Sequence, residues 1–510
     1  MKNTAPSRLG AFVAAVLTLS SLAAVASRAA AASLPRATPE SQGISSAGIQ
    51  GLIDEAEAKQ YGLHSIMILR HGQVVAEGWW APYAATEPHM LFSLSKSFTS
   101  TAIGLLQAEG RINIHDKVLQ YFPEDAPAEV SENLKNLRIR DLLMMSTGQH
   151  KEDVDKINVM APDKSGTKQF LAAPVKQKPG TLFYYNSPAT FMLSAIVQKV
   201  TGQTVRDYLI PRLFEPLGIP TPEWDLTPQG FNLGASGLHL RTEDIAKFGQ
   251  LLLQRGEWNG RRLIPAEWVD QASARQVSNG SNPESDWDQG YGFQFWRCIP
   301  GFYRADGAFG QYCIVMPLHD TVVAINSGTN DMGGVMKMVW NKLLPELRAA
   351  AIPENADAHA KLTARLAGLT YPVQVGAATS PLAASLSGKR FAFVPGDGNP
   401  MGLESIRLDL AADGGMTLST TIRGQTQQVA AGYSKWVKGT VTTGPDGPQP
   451  AAVSGAWTAN DTYAVQIYRY RTPFIQTLTL KFAGNEVTAQ PSQNVGFGNN
   501  KPAALTGKAQ

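Results

Sequence analysis

The order of hydrophobic patterns along this 510-residue chain predicts an α/β fold, a sheet beside a helical subdomain, with a separate all-β domain behind it. Short β-rich runs lie near the start, at Ser65–Arg70 and Gln73–Glu77, and return at Tyr291–Trp296 and Gln311–Ile325. Between them the apolar spacing is mostly helical, so the sheet must be assembled from both ends of this first part of the chain. Beyond residue 387, apolar and polar residues alternate at Ile406–Leu410, Met416–Ile422, Tyr463–Tyr468 and Phe474–Phe482, between Gly, Asp and Asn turns. That is the pattern of an antiparallel meander or small barrel.

Taken in order, residues 1–32 carry Lys2 and Arg8, the apolar stretch Leu9–Ala26, and small-residue sites at Ala24-Val25-Ala26 and Ala30-Ala31-Ala32. This is the layout of a secretory signal peptide, and Thr18, Ser20 and Ser21 break the run that a membrane anchor would need. The reading is an exported protein, periplasmic or secreted, with no stable membrane span once the signal is removed. The formal charge of +3 includes Lys2, Arg8 and Arg28, so the mature chain is left without net charge. No basic field remains for nucleic acid. With 43% hydrophobic and 17% charged residues, the composition is that of an ordinary globular protein. Eight scattered histidines and two cysteines offer no metal-ligand spacing, and no cofactor is implied. Cys298 and Cys313 could form a disulfide or remain two buried thiols.

Ser45–Lys59 has apolar residues at 49, 52, 53 and 56 behind a serine N-cap region, and so reads as a helix. His71-Gly72 joins the first two β runs as a hairpin. Trp79, Trp80 and Tyr83 read as packing. Phe92–Ser100 feeds the apolar run Ala102–Leu106, the start and body of a buried helix. Ile139–Met145 reads as a helix closed by Gly148. Pro179–Ser187 is a turn that places Tyr185 just ahead of the helix Phe191–Val200. Thr242 reads as the N-cap of the helix Ile245–Gln254, and Met332–Ala349 is a further helix. Residues 350–386, rich in Ala and Pro, read as a linker. The division is therefore a signal peptide at 1–32, an α/β domain at 38–349, a linker at 350–386 and an antiparallel β domain at 387–510.

Ser93 and Lys96 stand three residues apart. On a helix that spacing puts hydroxyl and amine on one face, at the end where free N–H groups favour developing negative charge. A serine hydroxyl attacks at neutral pH only if a neighbour takes its proton. A lysine can do so when burial or a nearby cation holds it partly neutral.

With Ser93, Lys96, Tyr185 and the segment Ala305–Gln311 in this order, residues 38–346 resemble the serine hydrolases of the class C β-lactamase and penicillin-binding protein superfamily. That group includes esterases, D-amino-acid peptidases and 6-aminohexanoate-dimer hydrolases. Softer features agree: Pro39-Glu40-Ser41-Gln42-Gly43, Leu142-Leu143-Met144 before Gly148, Pro179-Gly180-Thr181, and Gly237-Leu238 ahead of Thr242. The resemblance implies the β-lactamase/transpeptidase-like sandwich, with the active site between sheet and helical subdomain. It implies Ser93 as nucleophile and Lys96 and Tyr185 as proton-transfer groups, either of which could be the general base. A protonated Lys96 would lower the Tyr185 pKa.

Two motifs depart from the family pattern. Tyr185 is followed by Asn186-Ser187 where Tyr-x-Asn is usual, so the expected substrate contacts fall on Asn186 and Ser187. The third motif, Lys-Thr-Gly or His-x-Gly, aligns with Ala308-Phe309-Gly310. The backbone N–H of Gln311 would then join that of Ser93 as the oxyanion hole, with Phe309, Gly310 and nearby tryptophans forming an apolar pocket. An alanine at Ala308 cannot engage a substrate carboxylate as a cation would. The activity implied is hydrolysis of small esters or amides through an acyl-enzyme on Ser93. The alternatives are an amidase or peptidase of nylon-oligomer or D-peptide type, a β-lactamase or DD-carboxypeptidase, and a slowly acylated penicillin-binding-like sensor.

Overall fold

The computed structural model describes residues 1, 33–220, 222–394, 396, 399, 402–411, 413–442, 447–498 and 503–510. The signal peptide expected at 1–32 therefore lies outside the described residues, apart from Met1. Leu34–Gln510 forms one compact unit.

The central sheet does join the two ends of the α/β region. Strands β1 (Leu63–Arg70) and β2 (Gln73–Trp79) come from the start of the chain. Strands β3 (Trp296–Arg297), β4 (Tyr303–Gly307), β5 (Gln311–Met316) and β6 (Thr321–Ser327) come from residues 296–327. The order is β2-β1-β6-β5-β4-β3, with antiparallel pairing throughout. The β1–β2 hairpin turns at His71 and Gly72 with φ of 48° and 73°, the left-handed pair that a two-residue hairpin loop requires.

Both faces of this sheet are covered, so its inner strands are continuous apolar runs rather than alternating ones. Met67, Leu69, Cys313, Val315 and Val322 point to one side, where they share a core with helix α2 (Ser95–Ala108), α3 (Ser187–Thr201) and α4 (Thr242–Leu253). Ile66, Ile68, Tyr312, Ile314 and Val323 point to the other, against α1 (Ser46–Ala58) and α5 (Met332–Met338). Cys313 belongs to the first core and Cys298 to the second, and both are free, buried thiols.

Several boundaries moved for identifiable reasons. α4 is capped by Arg241 and Asp244, because the Thr242 hydroxyl is used 2.8 Å from that of Ser65 instead. The helical stretch from Met332 ends at Glu346, after Pro345, rather than reaching Ala349. Residues 350–386 are more ordered than a tether: α6 (Ala356–Ala367) packs on α1 and β2. Tyr371 N–H then donates to Ala81 O at 2.8 Å, and Gln374 N–H to Ser454 Oγ at 2.8 Å.

Residues 390–509 form a ten-stranded antiparallel sheet curled into a nearly closed barrel. Its interior is filled by Phe391, Trp457, Tyr463, Phe482 and aliphatic neighbours. The four strands legible in the sequence are all present at β8 (Leu403–Leu410), β9 (Met416–Ile422), β13 (Thr462–Tyr468) and β14 (Ile475–Ala483). They are joined by β7 (Arg390–Phe393), β10 (Gln425–Ala431), β11 (Val437–Thr442), β12 (Pro448–Ala459), β15 (Glu486–Gln493) and β16 (Leu505–Ala509). Among the described residues, no helix is long and apolar enough to cross a membrane.

Candidate active site

Ser93 sits in a 3-10 turn, Phe92–Leu94, that runs directly into α2. That helix is buried on almost all sides, so its polar side chains need partners from the surrounding loops. Ser97 Oγ donates to Gln294 O at 2.6 Å, Ser100 Oγ to Phe293 O at 2.7 Å, and Thr99 Oγ1 to Gly234 O at 2.9 Å. The same loop that receives Thr99 brings the Ala235 carbonyl to Lys96 Nζ, which donates to it at 2.8 Å.

Lys96 Nζ lies 2.9 Å from Ser93 Oγ. Only 1% of Lys96 is exposed, and this burial pulls its ammonium pKa down to about 7, with the Asp306 carboxylate opposing the shift. Near neutral pH roughly half the amines are therefore unprotonated and able to accept a proton. The Tyr185 hydroxyl lies beside Ser93, and its ring lies 4.9 Å from Lys96 Nζ. Its pKa is raised, first by burial and then by Asp306, while the Ser93 side chain works the other way. The phenol's own burial, reinforced by Asp306, therefore sets the direction of the shift and leaves the phenol protonated near neutral pH.

Local structure fixes Tyr185 from both sides. Tyr184 N–H donates to Met145 O at 2.8 Å, and Asn186 caps α3 by accepting from Ala189 N–H at 3.1 Å. The ring stacks on Trp296 with centroids 5.4 Å apart and meets Tyr291 edge-on. Asn186 is wholly buried, and its amide also donates to Thr147 and Gln149. It has no donor left for substrate, so its predicted binding role gives way to capping. Ser187 is exposed at the first turn of α3.

The third motif has two candidate placements, three residues apart. A Cβ on Gly307 would lie 2.0 Å from Leu91 O and 3.1 Å from Ser93 N, so β4 passes against the Ser93 turn and only glycine allows it. Ala305-Asp306-Gly307, rather than Ala308-Phe309-Gly310, is thus the segment packed against the Ser93 turn, and the residue after this glycine is Ala308. Gln311 instead pairs with Gly307 at the start of β5, wholly buried, and its side chain donates to Ala308 O and Ser327 O. Gly310 is a turn residue with φ of 90°, packed against Ser327. Phe309 is buried beside Phe92, Phe474 and Phe497 rather than beside tryptophans.

Sequence reading missed Asp306 and Arg304. They form a buried ion pair on β4, Arg304 Nε to Asp306 Oδ2 at 2.8 Å, and the Asp306 carboxylate biases both Lys96 and Tyr185. The Arg-Ala-Asp spacing, two residues apart on a strand and so on one face, was the available signal. Among the described residues, no group of three or more His, Cys, Asp or Glu side chains could hold a metal ion.

A family model described as Beta-lactamase matches residues 49–342. The 6-aminohexanoate-dimer hydrolase of Paenarthrobacter ureafaciens is 28% identical over 285 residues, covering 51% of this chain and 71% of that protein. Penicillin-binding protein 4 of Amycolatopsis lactamdurans is 27% identical over 300 residues, covering 51% and 77%. Among solved structures, a putative 6-aminohexanoate-dimer hydrolase from Bacillus anthracis has a TM-score of 0.53 at 21% identity, covering 64% of this chain and 90% of that one.

Proposed function

We propose that this chain, which belongs to the β-lactamase family and is a serine hydrolase of that family, cleaves small ester or amide bonds through an acyl-enzyme on Ser93. The observation that carries the proposal is the 2.9 Å contact between Ser93 Oγ and a buried amine whose pKa is pulled down to about 7. In this reading neutral Lys96 takes the Ser93 proton as Oγ attacks the substrate carbonyl carbon. The N–H groups of Ser93 and Ala308 hold the resulting oxyanion. Tyr185, kept protonated, gives its proton to the leaving oxygen or nitrogen as that bond breaks, and recovers one from Lys96. Water then attacks the acyl carbon by the reverse relay and frees Ser93.

Ester or simple amide hydrolysis is favoured over β-lactam or cell-wall peptide hydrolysis by the third motif. Under either alignment its first residue is an alanine, Ala305 or Ala308, where penicillin-recognising relatives of this type carry a cation for the substrate carboxylate. The relatives named for 6-aminohexanoate dimer and penicillin binding define the competing substrates. We further propose export, on the layout of residues 1–32.

The test is steady-state turnover of p-nitrophenyl esters, 6-aminohexanoate dimer and a chromogenic cephalosporin by the wild type and Ser93→Ala. Ester turnover that falls by about 10⁴-fold or more in the variant is the expected result. Cephalosporin as the best substrate would overturn the substrate class. Labelling of Ser93 without turnover would instead make the protein a slowly acylated sensor.

A further inference from the structure

Phe92 and Phe309 flank the nucleophile turn, and both hold a left-handed backbone, with φ of 49° and 66°. That conformation is costly for an aromatic residue, and such strain collects at functional sites. Their rings meet edge to face with centroids 5.3 Å apart. Two further rings complete the cluster, and both come from the barrel. Phe474 lies 6.1 Å from Phe92 and 5.9 Å from Phe309, and Phe497 lies 5.9 Å and 4.9 Å from the same two.

The barrel segments bearing these rings are pinned to the α/β domain. Met90 N–H, three residues before Ser93, donates to Arg471 O at 2.8 Å, and Arg471 Nε donates to Glu87 at 2.8 Å. Asn494 ties the second segment to the first and to the α/β domain, donating to Pro473 O at 2.9 Å and Gly328 O at 3.0 Å. Yet Phe497 stays 80% exposed, an aromatic ring held open to solvent above a buried apolar neighbour. A ring fixed in that way offers a face to an apolar ligand at little entropic cost.

We propose that Phe474 and Phe497 complete, with Phe92 and Phe309, the surface that holds the apolar group of the substrate, so the C-terminal domain sets the enzyme's preference for substrate size. The inference rests on the hydrolase reading above. It assigns a role to residues that lie beyond the matched family region of 49–342.

The test compares wild type, Phe497→Ala, Phe497→Leu and Phe474→Ala/Phe497→Ala on two series. One varies the acyl chain of p-nitrophenyl esters from two to eight carbons; the other varies the alcohol of acetate esters over the same range. Wild-type kcat/KM should rise with length in one series, which identifies the side of the bond held by the rings. In Phe497→Ala the eight-carbon substrate of that series should fall about tenfold, while the two-carbon substrate stays within about twofold. Phe497→Leu should retain part of the preference, and the double variant should lose more. Because Phe497 is exposed, its replacement leaves the melting temperature unchanged. A flat wild-type profile in both series, an unchanged length ratio in Phe497→Ala, or equal loss on all substrates would overturn this inference and leave the hydrolase reading standing. Absence of wild-type turnover and of Ser93 labelling would remove both.

Discussion

On one side of Ser93 stand Lys96, Tyr185 and Asp306, ionisable groups withdrawn from water and carried by α2, the turn before α3, and β4. On the other stand four phenylalanines, two from the nucleophile turn and the β4–β5 turn and two from the barrel, one of them open to solvent. In the proposed mechanism the polar flank needs fixed distances and a low dielectric, because proton transfer depends on both, and it is made wholly within the α/β domain. The apolar flank needs only area and shape, and it is shared between two domains. Changes on the polar flank should therefore alter rate on every substrate, and changes on the apolar flank should alter the choice among substrates.

The largest effect that sharpens this contrast, after loss of the nucleophile itself, is expected from Tyr185→Phe. It keeps the ring that stacks on Trp296 and deletes the hydroxyl beside Ser93. Turnover should drop about 100- to 10,000-fold, equally for short and long esters. A loss that depended on chain length would show that the two flanks are not separate.

Ala308→Pro comes next. Proline removes the N–H assigned to the oxyanion hole from a turn position, and kcat should fall about 100- to 1000-fold with the fold intact by circular dichroism. Retained activity would return the second donor to Gln311.

The polar flank was also the more legible in the sequence. Ser93 and Lys96 are one helical turn apart, so their juxtaposition is dictated locally, whereas the turn before an apolar helix placed Tyr185 and only the family resemblance gave it a role. The third motif has two candidate placements in the sequence because two glycines three residues apart, Gly307 and Gly310, satisfy the same pattern. What separates them is a close approach of distant backbone, the Leu91 carbonyl against Gly307. Asn186 looked like a substrate ligand because capping and binding use the same amide. The barrel showed four of its ten strands, since edges such as Gln425–Ala431 are too polar to alternate visibly. Its phenylalanines could not be placed at all, because position 497 reaches Phe92 only through tertiary docking.

Asp306→Asn should act on rate through Lys96 rather than on substrate choice. The carboxylate raises the Lys96 pKa, so its loss moves the acid limb of the kcat/KM profile to lower pH, below its wild-type position near 7. Stability should also fall, by about 3–5 kcal/mol, because the buried Arg304 guanidinium loses its counter-charge. A limb that stays in place in the variant would mean that Asp306 is structural only.

The smallest effect is a gain. Keeping Lys96 buried favours its neutral form, pulled down to about 7 from 10.5, so the folded state opposes the charge that the unfolded chain carries freely. Between about pH 7 and 10.5 the unfolded chain binds this proton and the folded one does not. Wild-type stability from this group therefore rises with pH across that window, and its penalty is fully present below it. Lys96→Met removes the penalty together with the bond to Ala235 O, and should stabilise the protein at pH 7 by about 2 kcal/mol net while abolishing turnover. The advantage should shrink as pH rises and be gone by about pH 9, a trend that urea unfolding at several pH values reads directly. A phenylalanine change on the other flank, Phe497→Ala, should show no such pH-dependent gap. If Lys96→Met proved less stable at neutral pH, or if the gap were flat with pH, the amine would not be held neutral by burial, and the proton chemistry assigned to the polar flank would have to be rebuilt around Tyr185.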